Sequence, residues 1–62
     1  SLTQYTSLAT LIVNSGELIG IPDVGVNTGS RIIINEGASW DAFPSQTGTF
    51  GVNSQGQFYK VN

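Results

Sequence analysis

The chain has 62 residues, no Cys, His or Met, two basic residues against four acids, and a net charge of −2. Without a histidine or thiol it lacks the usual base and nucleophile of covalent catalysis and the ligands of a structural zinc site, so both classes are excluded. Arg31 and Lys60, the two basic residues, are too few to neutralise a nucleic-acid backbone or to hold an anionic membrane surface.

Residues 1–7 are read as an N-terminal arm and 8–62 as one small β domain. Leu2, Tyr5, Leu8, Ala9 and Ile12 have helical spacing. Thr3, Thr6, Thr10, Ile12 and Val13 are β-branched and lower helix propensity, so the arm is expected to be extended. The first residues lack the basic segment and apolar stretch of a secretory signal. Apolar runs such as Leu11-Ile12-Val13 are far too short to span a bilayer.

Strands are predicted over roughly 8–13, 17–21, 30–34, 48–52 and 57–61, with short or irregular ones at 24–26 and 38–43. Pro22 and Pro44 interrupt the pattern because proline cannot donate to a ladder. Residues 44–49, rich in Gly, Thr, Ser and Gln, read as the connecting loop. Ile32-Ile33-Ile34 is apolar on both faces, which suits a strand covered on both sides.

Four segments repeat one turn: Val13-Asn14-Ser15-Gly16, Val26-Asn27-Thr28-Gly29, Ile34-Asn35-Glu36-Gly37 and Val52-Asn53-Ser54-Gln55-Gly56. Asn caps such a turn by bonding its side chain to backbone two residues on, and Gly supplies the left-handed position. The predicted structural turn residues are therefore Asn14, Gly16, Asn27, Gly29, Asn35, Gly37, Asn53 and Gly56. With strands between hairpin turns, the expected fold is all-β: a small antiparallel meander or partly open barrel.

A domain of about 60 residues buries only about 60% of the surface its unfolded chain exposes. Disulfides, metals or a partner usually make up such a deficit, and there is no Cys or His for the first two. Glu17, Asp23, Glu36 and Asp41 stand singly along the chain. That spacing argues against a calcium cage and a catalytic carboxylate pair, and reads as solvated turn charge. No glycine run has the spacing of a phosphate loop. No catalytic residue, cofactor or metal ligand is assigned. The remaining route to stability is a partner chain, favoured also by strands with few edge-protecting charges or prolines.

Trp40, Phe43, Phe50, Phe58 and Tyr59 gather in the C-terminal third, beside polar residues. The plainer expectation places Trp40, Phe43, Phe50 and Phe58 in the core. The sharper one makes Trp40, Asp41, Asn53, Gln57 and Tyr59 a contact or sugar-binding set. Phe58 and Tyr59 are adjacent on a strand, so one of them must face away from the core.

The segment Glu36-Gly37-Ala38-Ser39-Trp40-Asp41-Ala42-Phe43, followed by Gly51-Val52-Asn53-Ser54-Gln55-Gly56-Gln57-Phe58-Tyr59-Lys60, resembles one blade of a tachylectin-type β-propeller lectin. That resemblance implies binding of N-acetylated sugars; the spacer between Phe43 and Gly51 is shorter than in such blades. Over its whole length the chain is similar in composition to accessory proteins of bacteriophage virions. Phe50-Gly51-Val52-Asn53-Ser54-Gln55-Gly56-Gln57-Phe58 looks like one repeat of a fibre-shaft β-spiral. The virion resemblance implies a non-enzymatic structural protein, a capsid decoration or tail-fibre module, partnered by other virion chains and by copies of itself, a trimer above other stoichiometries. Its place would be the virion. The lectin resemblance implies an extracellular, carbohydrate-binding alternative.

Overall fold

The computed structural model describes residues 8–22 and 28–62. The arm predicted over 1–7, the short strand at 24–26 and the turn residue Asn27 lie outside the described residues. Within them the chain is all-β. Its strands are β1 (Thr10–Val13), β2 (Gly16–Leu18), β3 (Arg31–Ile34), β4 (Ala38–Trp40), β5 (Gly48–Val52) and β6 (Phe58–Lys60). β5 spans its predicted 48–52 in full, and β1, β3 and β6 are shorter than predicted. β2 covers Gly16–Leu18 against a predicted 17–21, and β4 occupies the first part of the irregular stretch predicted at 38–43.

The antiparallel meander does not hold. β1 pairs with β3 in parallel, Thr10 opposite Arg31 and Val13 opposite Ile34. β2 pairs with β4 in parallel, Gly16 opposite Ala38 and Leu18 opposite Trp40. Only β3–β5 and β5–β6 are antiparallel. The result is a four-stranded mixed sheet in the order β1-β3-β5-β6 and a two-stranded sheet β2-β4. Neither closes into a barrel.

The reason lies in the corners. Asn14-Ser15-Gly16 and Asn35-Glu36-Gly37 do not fold a strand back on itself; they carry the chain from the larger sheet into the smaller one. Gly16 (φ 79°) and Gly37 (φ 91°) take the left-handed backbone that this bend requires. A strand that leaves its sheet at a corner must find its partner in the next pass of the chain. The long connection from β2 to β3 is the crossover that a parallel pair needs. The chain thus makes two stacked rungs, β1-corner-β2 and β3-corner-β4, before reversing through 41–47 into β5. Of the four predicted turns, the one at Asn53–Gly56 joins an antiparallel hairpin, β5–β6.

Both sheets contribute to one core. Trp40 and Phe50 are fully enclosed, and Ile32 and Ile34 are 1% exposed. Leu11, Val13, Leu18, Ala38, Ala42, Phe43 and Phe58 pack around them. Trp40 meets Phe50 and Phe58 edge-on, with ring centroids 5.4 and 5.2 Å away, and Phe43 lies tilted at 5.1 Å. Such edge contacts set the positive rim of one ring against the negative face of another. Tyr59 turns the other way and is exposed, as strand alternation requires of one member of the Phe58–Tyr59 pair. Among the described residues Ser30 is the buried polar one, and its Oγ accepts a hydrogen bond from the Ala9 amide at 3.1 Å.

Gly48 and Gly16 separate two roles of glycine. Both have positive φ, but a Cβ on Gly48 would run into the Asn62 backbone carbonyl, whereas Gly16 has open space around it. Gly16→Ala is expected to cost about 1–2 kcal/mol from backbone strain alone. Gly48→Ala should cost visibly more, because the last residues of the chain must also move. Urea titration followed by circular dichroism reads the difference, and equal midpoints for the two variants would contradict it.

Candidate functional site

The two rungs stack 21 positions apart through β1, β3 and the Asn14–Asn35 contact, and 22 apart through β2 and β4. Leu11, Ile12, Val13 and Asn14 lie beside Ile32, Ile33, Ile34 and Asn35. At the corner the Asn35 Nδ2 donates to Asn14 Oδ1 at 2.8 Å, and the Asn35 amide donates to the Val13 carbonyl at 3.0 Å. The side chains of Asn14 and Asn35 therefore tie rung to rung. Further polar ties fasten the ends of the rungs. The Arg31 amide donates to the Ala9 carbonyl at 2.9 Å, next to the Ser30 bond. Beyond β2, the Trp40 Nε1–H donates to the Gly20 carbonyl at 2.7 Å and the Gly20 amide donates to Asp41 Oδ1 at 2.9 Å.

Burial is unequal across this stack. In β3 the inward side chains Ile32 and Ile34 are sealed, while their counterparts Leu11 and Val13 in β1 are half-buried. Leu18 is half-buried where Trp40, its partner in β4, is fully enclosed. β3 has a neighbour on each side; among the described residues β1 stands at the end of the sheet. Among those residues the first rung thus has one covered side and one open side.

The first rung also carries exposed apolar side chains: Ile12 (54% exposed) on the outer face of β1, away from Leu11 and Val13, and Leu8 (68%), Ile19 (75%) and Ile21 (48%) on the flanks. Glu17 is the only charge from 8 to 22. Successive backbone groups of a strand point to opposite edges. Ala9 and Val13 bond toward β3, so those of Thr10 and Ile12 point away from it. β1 has none of the usual edge protection: no Lys, no Pro, no inward charge. The opposite edge differs, for β6 is three residues long and carries Lys60.

The predicted contact or sugar-binding set does not assemble. Trp40 is corrected from candidate platform to core: it is fully enclosed and offers no face to a ligand. Asp41 is exposed but holds the Gly20 amide across the rungs. Asn53 and Gln57 serve their own hairpin, with Asn53 Oδ1 accepting from the Gln55 and Gln57 amides at 2.9 Å each. This is the side-chain cap expected of the turn. Asn53 Nδ2 also donates to Gln57 Oε1 at 3.2 Å. Tyr59 lies on the outer face of the larger sheet, 46% exposed, with its ring tip and the Arg31 guanidinium over Gly51. Trp40 and Tyr59 are therefore on opposite sides of that sheet. Of the remaining turn residues, Gly29 (φ 98°) and Gly56 (φ 82°) have the expected left-handed backbone.

Sequence reasoning missed Leu8, Leu11, Ile12, Val13, Leu18, Ile19 and Ile21 as a surface. The signal was present: Leu11-Ile12-Val13-Asn14 and Ile32-Ile33-Ile34-Asn35 repeat three aliphatic residues and an Asn at an offset of 21, which marks stacked repeats. Comparison with protein-family models, with curated proteins and with solved structures finds no match for this chain.

The asparagine contact has a measurable weight. In a double-mutant cycle of Asn14→Ala and Asn35→Ala, the two changes should be non-additive, with a coupling of about 0.5–1.5 kcal/mol for one exposed side-chain hydrogen bond. Chemical denaturation of the four proteins in the cycle measures it. Strict additivity would show that the two corners are held by backbone alone.

Proposed function

We propose that this chain is a non-enzymatic structural module of a virion, of the bacteriophage decoration or fibre type. In this reading it docks on other virion protein chains through the open edge of its first rung. The observation that carries the docking is the contrast between Leu11, Val13 and Leu18, half-buried, and Ile32, Ile34 and Trp40, sealed at the equivalent positions one rung on. Stacked repeats bury their core between neighbours, so an end repeat without a polar outer face is an unfinished one. Covering three half-buried apolar side chains and the exposed Leu8, Ile12, Ile19 and Ile21 is favourable at about 25 cal/mol per Å² of apolar surface. The virion setting is supported by composition: low charge, no Cys or His, and a chain built from β-branched residues and Asn/Gly turns.

Two measurements test it. In particles purified by density gradient from the organism that encodes it, a tagged chain should co-sediment with the assembled virion. Ile12→Lys, a change on an exposed side chain that places a charge on the docking edge, should leave the chain folded and move it to the soluble fraction. Absence of the unaltered chain from particles would end the virion reading; particle association unaffected by Ile12→Lys would end the edge-docking one.

A further inference from the structure

Resting on that docking reading, we infer that the partner is a third rung: an uncharged strand of a different polypeptide, laid parallel to β1, with apolar residues at two alternate positions followed by Asn, one residue and Gly. The template is inside the molecule. β1 and β3 already show how one such strand receives another, with inward residues stacked in rows and the asparagines joined through their amides at 2.8 Å. Asn14 accepts from Asn35 through Oδ1, and an amide group has a donor as well as an acceptor end. A strand placed beside β1 in the same register would set its own asparagine oxygen at the Nδ2 end of Asn14. It would also cover Leu11 and Val13 as β1 covers Ile32 and Ile34.

Symmetry argues against a second copy in this position. A twofold axis perpendicular to the sheet brings another β1 alongside with its apolar face inward, but antiparallel. A twofold axis along the strand makes it parallel, but turns that face to solvent. Neither stacks Asn14 on Asn14 over a continuous core. Head-to-tail addition would offer β6 of the second copy, which runs in the right direction. Its inward positions are Phe58 and Lys60, however, since Lys60 lies opposite Phe50, and an ammonium group would be buried where an apolar side chain is wanted.

The probe is a synthetic peptide with the sequence of residues 10–20, added to the 15N-labelled 62-residue chain. Saturable binding is expected, with slowed hydrogen exchange at the outward-facing amides of Thr10 and Ile12. A nitroxide at the peptide N-terminus should broaden Thr10 more than Asn14, as parallel alignment requires. Leu in place of Asn in the peptide should weaken binding about tenfold, the effect of one well-formed hydrogen bond.

No slowing at those amides with peptide in large excess would overturn the inference. So would stronger broadening at Asn14, or equal binding of the Leu-substituted peptide. A concentration-dependent dimer that protects the same amides without peptide would overturn it in favour of a second copy. The two readings fail separately. If the peptide does not bind but Ile12→Lys still releases the chain from particles, the third rung is wrong and edge docking stands. If the peptide binds but Ile12→Lys leaves the chain on particles, the edge is competent but is not how the chain docks.

Discussion

Parallel stacking of the first rung on the second is the constraint on which the rest of this small fold depends. A strand pair joined by a short turn is stabilised locally, but β1 and β2 are separated by a corner and lie in different sheets. Each pairs with what the chain brings back later, 21 residues on for β1 and 22 for β2. The ties at the two ends and the corner of the rung, Ser30 to Ala9, Asn35 to Asn14, and Trp40 with Asp41 to Gly20, are all contributed by side chains of the second rung or its flanks. Trp40 has a double part in this. Its ring fills the space between the sheets, and its indole N–H, which would be costly to bury without a partner, is spent on the carbonyl of the other rung.

The all-β class and the core were legible in the sequence; the topology was not. β-branched runs between Asn/Gly turns point to strands wherever their partners are, so the strand positions survive a wrong guess about pairing. Trp40, Phe43, Phe50 and Phe58 were similarly safe, because so short a chain has few other ways to fill its interior. The pairing does not follow from the turns because an Asn…Gly segment is not always a reversal. Asn53-Ser54-Gln55-Gly56, with two residues between Asn and Gly, is one, and the asparagine oxygen folds back onto the Gln55 and Gln57 amides. In Asn14–Gly16 and Asn35–Gly37 the same residues make a bend, and the amides join across the stack. Local chemistry is similar in both; what decides is whether a matching strand lies next in sequence or one rung away. The repeated Leu11–Gly16 and Ile32–Gly37 pattern held that information.

The candidate site was hidden for a related reason. Exposed apolar residues scattered singly are ordinary on protein surfaces, and nothing in the sequence sets Ile12 or Ile19 apart from Ile33. They become informative only through position. Four of the six large exposed apolar side chains among the described residues belong to the first rung and its flanks. The aromatic set, by contrast, drew attention by composition and proved to be mostly interior. A carbohydrate platform needs its rings on one accessible side, and strand alternation sends Tyr59 away from Trp40.

The hairpin of β5 and β6 gives the molecule two unlike ends. On one side of β3 the chain reverses, runs antiparallel, and finishes in a three-residue strand with Lys60 among its inward positions. On the other, β1 presents an uncharged parallel edge. In the vocabulary of polymer chemistry the docking proposed above would make the chain a monofunctional unit. Received by a column of rungs at β1, it would bring no second edge of the same kind among its described residues, and growth would stop at the molecule that joined last.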